Sequence, residues 1–199
     1  MEKVVYVTGN YGKYRSVKEY FEDNQIKIDF FKYEFYEPDV NDIEFVSKAK
    51  ALEAYKLLGK PCFVADSGFY IEDYPNRPGY PGAFVKRSGI STNVEQLLID
   101  MKNTENRNSY FLDCLTFYDG IKFYIFFGKS SGTISLEKRG NQIKKAKSDL
   151  WYVFIPNNCN KTLAEMTEFE RKNRNDGRTS ATEQFINWYK NEYNTTKND

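Results

Sequence analysis

The 199-residue chain contains no histidine, which excludes histidine-based triads, imidazole general bases and histidine metal sites. Any catalysis falls to carboxylates, lysine, arginine or a hard metal ion. Its three cysteines, Cys62, Cys114 and Cys159, are odd in number, far apart and in no C-x-x-C spacing. That excludes a disulfide framework or a zinc site and predicts free thiols in a reducing compartment. No run of about 18 apolar residues occurs, and Met1-Glu2-Lys3 leads straight into a strand pattern without an apolar leader. A cytoplasmic protein without a membrane partner is expected. Charge of one sign is also missing: 29 Lys and Arg stand against 28 Asp and Glu, a formal +1. That is no electrostatic footprint for a nucleic-acid polymer.

What is present is core-forming material. Hydrophobic residues make up 40% and aromatics 17%, enough to bury a sizeable core, while 29% charged residues supply a hydrated surface. Val4 to Val7 reads as a strand, Thr8-Gly9-Asn10 as a tight loop, and Tyr14, Val17 and Tyr20/Phe21 recur at helical spacing. Ile26 to Phe31 predicts a second strand. Ile43, Val46, Ala49, Leu57 and Leu58 predict a helix stopped at Gly59, and Cys62 to Ala65 a buried strand with Asp66 at its C-terminal end. After a Pro- and Gly-rich loop from Pro75 to Gly82, Val94 to Met101 predicts a helix. Tyr110 to Tyr118 and Lys122 to Phe127 predict a hairpin turning at Asp119-Gly120. Thr162-Leu-Ala-Glu165 and Ser180-Ala-Thr-Glu183 each fit a capping box and each predict a helix start, the second helix carrying Phe185, Ile186, Tyr189 and Tyr193. Alternating strands and helices indicate an α/β fold. Residues 1–190 are expected to form a single domain, ordinary or two-lobed, and 191–199 a polar tail.

Three constellations could carry chemistry. Thr8-Gly9-Asn10-Tyr11-Gly12-Lys13 places glycines and a lysine where amides at a helix N-terminus can hold phosphate, although it lacks P-loop spacing. An ordinary turn with a solvated lysine fits the same residues. Asp66-Ser67-Gly68 follows the buried strand, where an acid can ligate Mg²⁺ or accept a proton from water, and Glu37 in the preceding loop offers a second hard oxygen donor. An Asx turn and a plain surface acid are the competing readings. Lys172 and Arg178 in a polar connector could reach an anion or a base carbonyl, or could be solvated.

The order of these segments resembles the inosine triphosphate pyrophosphatase family. It is carried by Thr8-Gly9-Asn10-x-x-Lys13, Glu37, Lys50-Ala51, and Gly59-Lys60-Pro61 followed by Asp66-Ser67-Gly68. Pro81-Gly82 with Lys86, Thr162-x-Ala164-Glu165-Met166, Lys172-Asn173 and Arg178 complete it, so that the match spans Val4 to about Trp188. The resemblance implies two α/β lobes around a long mixed β-sheet with the active-site cleft between them. It also implies a Mg²⁺-dependent homodimer that cleaves deaminated purine nucleoside triphosphates to the monophosphate and pyrophosphate. Thr8, Asn10 and Lys13 would then hold the triphosphate with Lys50 reaching the same charge. Asp66 would activate water beside the metal, Glu37 would be a metal ligand, and Ser67 and Gly68 would line the phosphate site. Gly9, Lys86, Trp151, Lys172 and Arg178 complete the substrate-binding candidates. Three departures stand out. Ala65 replaces the first of two adjacent acids carried by many members. Ser148-Asp149-Leu150-Trp151-Tyr152 replaces the base-packing Phe-Gly-[Tyr/Trp]-Asp-Pro, leaving Trp151 or Tyr152 to stack on a base. Asp176-Gly177-Arg178 replaces Ser-His-Arg, leaving Arg178 to donate to a purine carbonyl. The alternatives are the same reaction on a different or modified nucleotide, and nucleotide binding without turnover.

Overall fold

Val4-Val5-Tyr6-Val7 is buried on both faces, as a strand inside a parallel arrangement must be, and forms β1 (Val4–Val7). In this computed structural model, which describes residues 3–141 and 148–193, β1 is followed by α1 (Tyr11–Asp23), β2 (Ile28–Phe31), α2 (Ile43–Leu58), β3 (Cys62–Ile71) and β4 (Pro81–Gly82). Then come α3 (Val94–Asp100), β5 (Asn108–Tyr118), β6 (Phe123–Ile134), β7 (Phe154–Pro156), α4 (Glu168–Asn173) and α5 (Ala181–Trp188). The sheet is mixed, in the order β2-β1-β3-β5-β6-β7, with β4 paired to β3. The parallel β1 lies between β2, in register Tyr6 to Phe30, and β3, in register Tyr6 to Phe63. The α/β expectation is met.

Two compact units divide the described residues. The first draws on 3–67, 113–128 and 180–193, the second on 68–112, 129–141 and 148–179. The boundaries fall inside β3, β5 and β6, so each of these strands contributes to both units. In the first unit, Val4, Tyr6, Phe21, Phe63, Leu115, Phe117 and Phe185 form one apolar cluster, and Val5, Val7, Ala51, Ala54, Cys62 and Val64 form another. The core of the second unit is built from Phe69, Ile71, Val94, Leu97, Met101, Leu150, Phe154 and their neighbours.

Some expectations needed correction. Asp66 does not end a strand: β3 runs ten residues and carries Asp66, Ser67 and Gly68 in its interior. The Thr162 capping box forms, with the Thr162 amide donating to Glu165 at 2.7 Å and the Glu165 amide donating to the Thr162 hydroxyl, yet it closes a turn. Helix α4 starts later, on a second box made by Thr167 and Glu170. Ser180 caps α5 as predicted. Of the expected tail, Asn191–Tyr193 continue as a helical turn whose Tyr193 joins the first core, and residues 194–199 lie outside the described residues.

Candidate active site

The loop after β1 is shaped by short side chains that bond to their own backbone. The Thr8 hydroxyl accepts the Asn10 amide at 3.2 Å, and the Asn10 side chain caps α1 by accepting the Lys13 amide at 3.1 Å. Lys13, one turn into the helix, sends its ammonium to the Ala65 carbonyl on β3 at 3.3 Å. Beside the loop, the carboxylate of exposed Glu34 fills the space where a Cβ on Gly9 would stand. The β1 ladder stops at Val7 while β3 continues to Ile71, and Lys13 meets β3 at Ala65, between the stretch paired to β1 and the stretch paired to β4.

The second component comes from α2. Asp42 caps its start by accepting the amides of Glu44 and Phe45, and Gly59, at φ +63°, ends it in the left-handed conformation that a side chain would disfavour. Between these stops the buried stripe reads Ile43, Val46, Ser47, Lys50, Ala51 and Ala54, a helical period that carries a lysine into the interior. A buried ammonium needs partners. Lys50 donates to Asp66 Oδ1 at 2.5 Å and approaches Glu37 Oε1 at 3.5 Å, with its own side chain only 8% exposed. The other oxygen, Asp66 Oδ2, is buried and has no hydrogen-bond partner among the described residues.

The structure therefore brings together Thr8, Gly9, Asn10 and Lys13 with β3, and joins Glu37, Lys50 and Asp66 in one charge cluster; Ser67 follows Asp66 and is exposed. The remaining candidates belong to the second unit. Gly68 is buried against β4, where a Cβ would crowd the Gly82 carbonyl. Lys86 is exposed in the turn that follows β4. Trp151 is half-buried against the second core with the Arg171 guanidinium 5.2 Å above its ring. Lys172 is exposed and pairs with Glu168. Arg178 donates to the carbonyls of Arg174 and Lys172 and to Asp176, so its guanidinium already ties its own loop together. Burial raises the Asp176 carboxyl, but Arg174 at 2.7 Å and Arg178 at 3.3 Å more than offset it and hold the group below the ordinary range. Sequence reading missed one feature here: Asp176 as the hub of this cluster.

A capped loop at a helix start and a buried lysine met by two carboxylates, set around a mixed sheet flanked by helices, define a class first: an α/β protein of this sheet order. The chain belongs to the Ham1 family, whose model matches residues 4–188. It is similar to the dITP/XTP pyrophosphatase of Pyrococcus horikoshii, 33% identical over 190 residues that cover 94% of this chain and 97% of that protein. The dITP/XTP pyrophosphatase of Saccharolobus solfataricus is 33% identical over 183 residues, covering 92% and 91%. In structure the fold matches the Staphylococcus aureus Ham1 protein with a TM-score of 0.74 at 20% identity, covering 94% of this chain and 99% of that one. The family expected from the order of motifs is thereby met.

Proposed function

We propose that this chain is a nucleoside triphosphate pyrophosphohydrolase that acts on deaminated purine nucleotides, releasing the monophosphate and pyrophosphate. The observation that carries the reading is the Glu37, Lys50 and Asp66 cluster, with Asp66 Oδ2 buried and without a protein partner. The similarity to dITP/XTP pyrophosphatases supports the substrate class.

The residues present fit a divalent metal. Among the described residues no group of three or more acids, cysteines or histidines could cage an ion, yet two hard carboxylates converge on Lys50 and one oxygen lacks a partner. That donor set suits Mg²⁺, which keeps water and substrate phosphate in its shell. Glu37 and Asp66 would hold it, and when bound it would neutralise phosphate charge as phosphoryl transfer requires. The chain's own groups do the rest. Free amides at the start of α1 and the Lys13 ammonium hold the triphosphate. Lys50 keeps Asp66 in one orientation and can share its charge with phosphate. Asp66 orients the attacking water and accepts its proton, and Ser67 lines the phosphate side. By motif order alone, Trp151 is the candidate face for stacking on a base, and Lys86, Lys172 and Arg178 are the candidate cations. Arg178 must exchange a carbonyl contact to donate to a purine oxygen. The same reading makes the enzyme a cytoplasmic homodimer. Among the described residues no helix is long and apolar enough to cross a membrane.

The test is product analysis. Purified protein incubated with dITP and Mg²⁺ is expected to give dIMP and pyrophosphate in equal amounts. Orthophosphate and dIDP as products, or binding without release, would refute the proposal.

A further inference from the structure

Two acids and one lysine make up the charge cluster of the first unit. Helix α2 carries Lys50 inward, and its ammonium donates to Asp66 Oδ1 at 2.5 Å and reaches Glu37 Oε1 at 3.5 Å. Among the described residues these acids take two of its three N–H donors. The side chains of Lys50, Asp66 and Glu37 are 8%, 15% and 38% exposed, so the charges meet largely out of water and act on one another strongly. One ammonium cancels half the charge of two carboxylates. A divalent cation brought to the same acids therefore meets a weakened attraction and a positive charge already in place. A polyanion meets the opposite: Lys50 at Asp66 and Lys13 at the Ala65 carbonyl bring two ammonium groups to consecutive residues of β3. Cation and polyphosphate thus act on Lys50 in the same sense, the one repelling its ammonium from the acids and the other attracting it.

We propose that Lys50 is an exchangeable counter-ion that makes divalent-cation binding at Glu37 and Asp66 depend on polyphosphate: its ammonium stays on the two carboxylates until phosphate oxygens take it over. The inference rests on the proposed metal and triphosphate roles of this cluster and adds the order in which the site assembles. With Lys50 on the acids, the protein holds a divalent cation weakly. Once phosphate draws the ammonium away, both carboxylates regain their full charge toward the ion. Linkage makes the effect reciprocal, so the ion strengthens polyphosphate binding by the same factor. Asp66 is thereby released for water activation only when a substrate's phosphates are in place.

The experiment is calorimetric and needs no turnover. Unaltered protein and Lys50→Gln are titrated with Mg²⁺ alone and, separately, with inorganic tripolyphosphate in excess EDTA. Lys50→Gln is expected to bind Mg²⁺ about 10- to 100-fold more tightly and tripolyphosphate about 10- to 100-fold more weakly than the unaltered protein. A purely structural role for Lys50 would weaken both. A second measurement covers a variant that does not fold: a crystal structure of the unaltered protein with tripolyphosphate and EDTA is expected to show Lys50 Nζ bonded to a phosphate oxygen and beyond hydrogen-bond distance of Asp66 Oδ1. Mg²⁺ affinity unchanged or weaker in Lys50→Gln, unchanged tripolyphosphate affinity, or Lys50 still on Asp66 with tripolyphosphate bound would overturn the proposal. If the opposite shifts appear while the unaltered protein releases no pyrophosphate from any deaminated purine triphosphate, the assigned activity fails and the exchange of Lys50 stands.

Discussion

Lys50 is a buried lysine on an otherwise apolar helix stripe, and its charge is met by one carboxylate at 2.5 Å and another at 3.5 Å. Removing one partner of such a pair leaves the other uncompensated, which costs about 3–5 kcal/mol in buried settings. Asp66→Asn therefore bears on both stability and chemistry, and turnover must be read per folded molecule. That variant is expected to lose roughly 10²-fold or more in kcat while triphosphate affinity changes little, as isothermal titration beside steady-state kinetics can show. Among the described residues Lys13 makes no ion pair, and its ammonium donates to the Ala65 carbonyl. Lys13→Ala is expected to weaken binding by about 10- to 100-fold, the loss of one charge-assisted hydrogen bond of about 1.5–3 kcal/mol, equally for every base tested. A loss confined to one base would assign Lys13 to base reading. The loop of Thr8 and Asn10 was legible in the sequence because short side chains that cap a helix follow an apolar strand there, whereas Asp66 reads as the end of a strand and lies inside β3.

At the scale of elements, capping chemistry decides where helices start, and the same four-residue pattern gave two outcomes. Thr162 and Glu165 satisfy each other, but the segment they bracket folds as a turn that packs Leu163, Ala164 and the following Met166 inward. Thr167 and Glu170 then cap α4, whose residues are all exposed or half-buried. Because local bonds carry that short helix, Thr167→Ala is expected to lower global stability by less than the typical 1 kcal/mol of a cap, whereas Asp42→Ala, at the start of the packed α2, is expected to cost about 0.5–2 kcal/mol in urea melts. Equal effects would mean that α4 is as firmly anchored as α2. The length of β3 was hidden for a related reason. Asp66-Ser67-Gly68 reads as a turn in sequence, yet β4 and β5 pair alongside and extend the strand to Ile71, a long-range choice that local propensity does not record. The hairpin at Asp119-Gly120, by contrast, is local: the Asp119 carboxylate accepts the amides of Ile121 and Lys122, and Gly120 takes φ +100°.

For the whole molecule, β3, β5 and β6 each contribute residues to both units, so unfolding is expected to be a single transition; two resolved transitions would mean that the units melt separately. Acid should weaken the fold in a defined window. Lys161 and the Thr167 backbone hold Glu170 down at about 2 against its ordinary 4.5, and Glu165 and Asp176 are also lowered. A carboxyl lowered on folding contributes stability above its unfolded value and loses it as pH falls through the folded one, so the melting temperature is expected to drop progressively from about pH 4.5 toward about pH 2. A melting temperature flat across that range would contradict these pairings. The central claim, that the cluster on α2 and β3 serves cleavage of deaminated purine triphosphates, is tested most directly by kcat/KM for dITP and XTP against dATP, measured by pyrophosphate release with Mg²⁺ and with excess EDTA. The account predicts preference for the deaminated nucleotides and loss of activity in EDTA; equal or better use of dATP, or full turnover in EDTA, would contradict it.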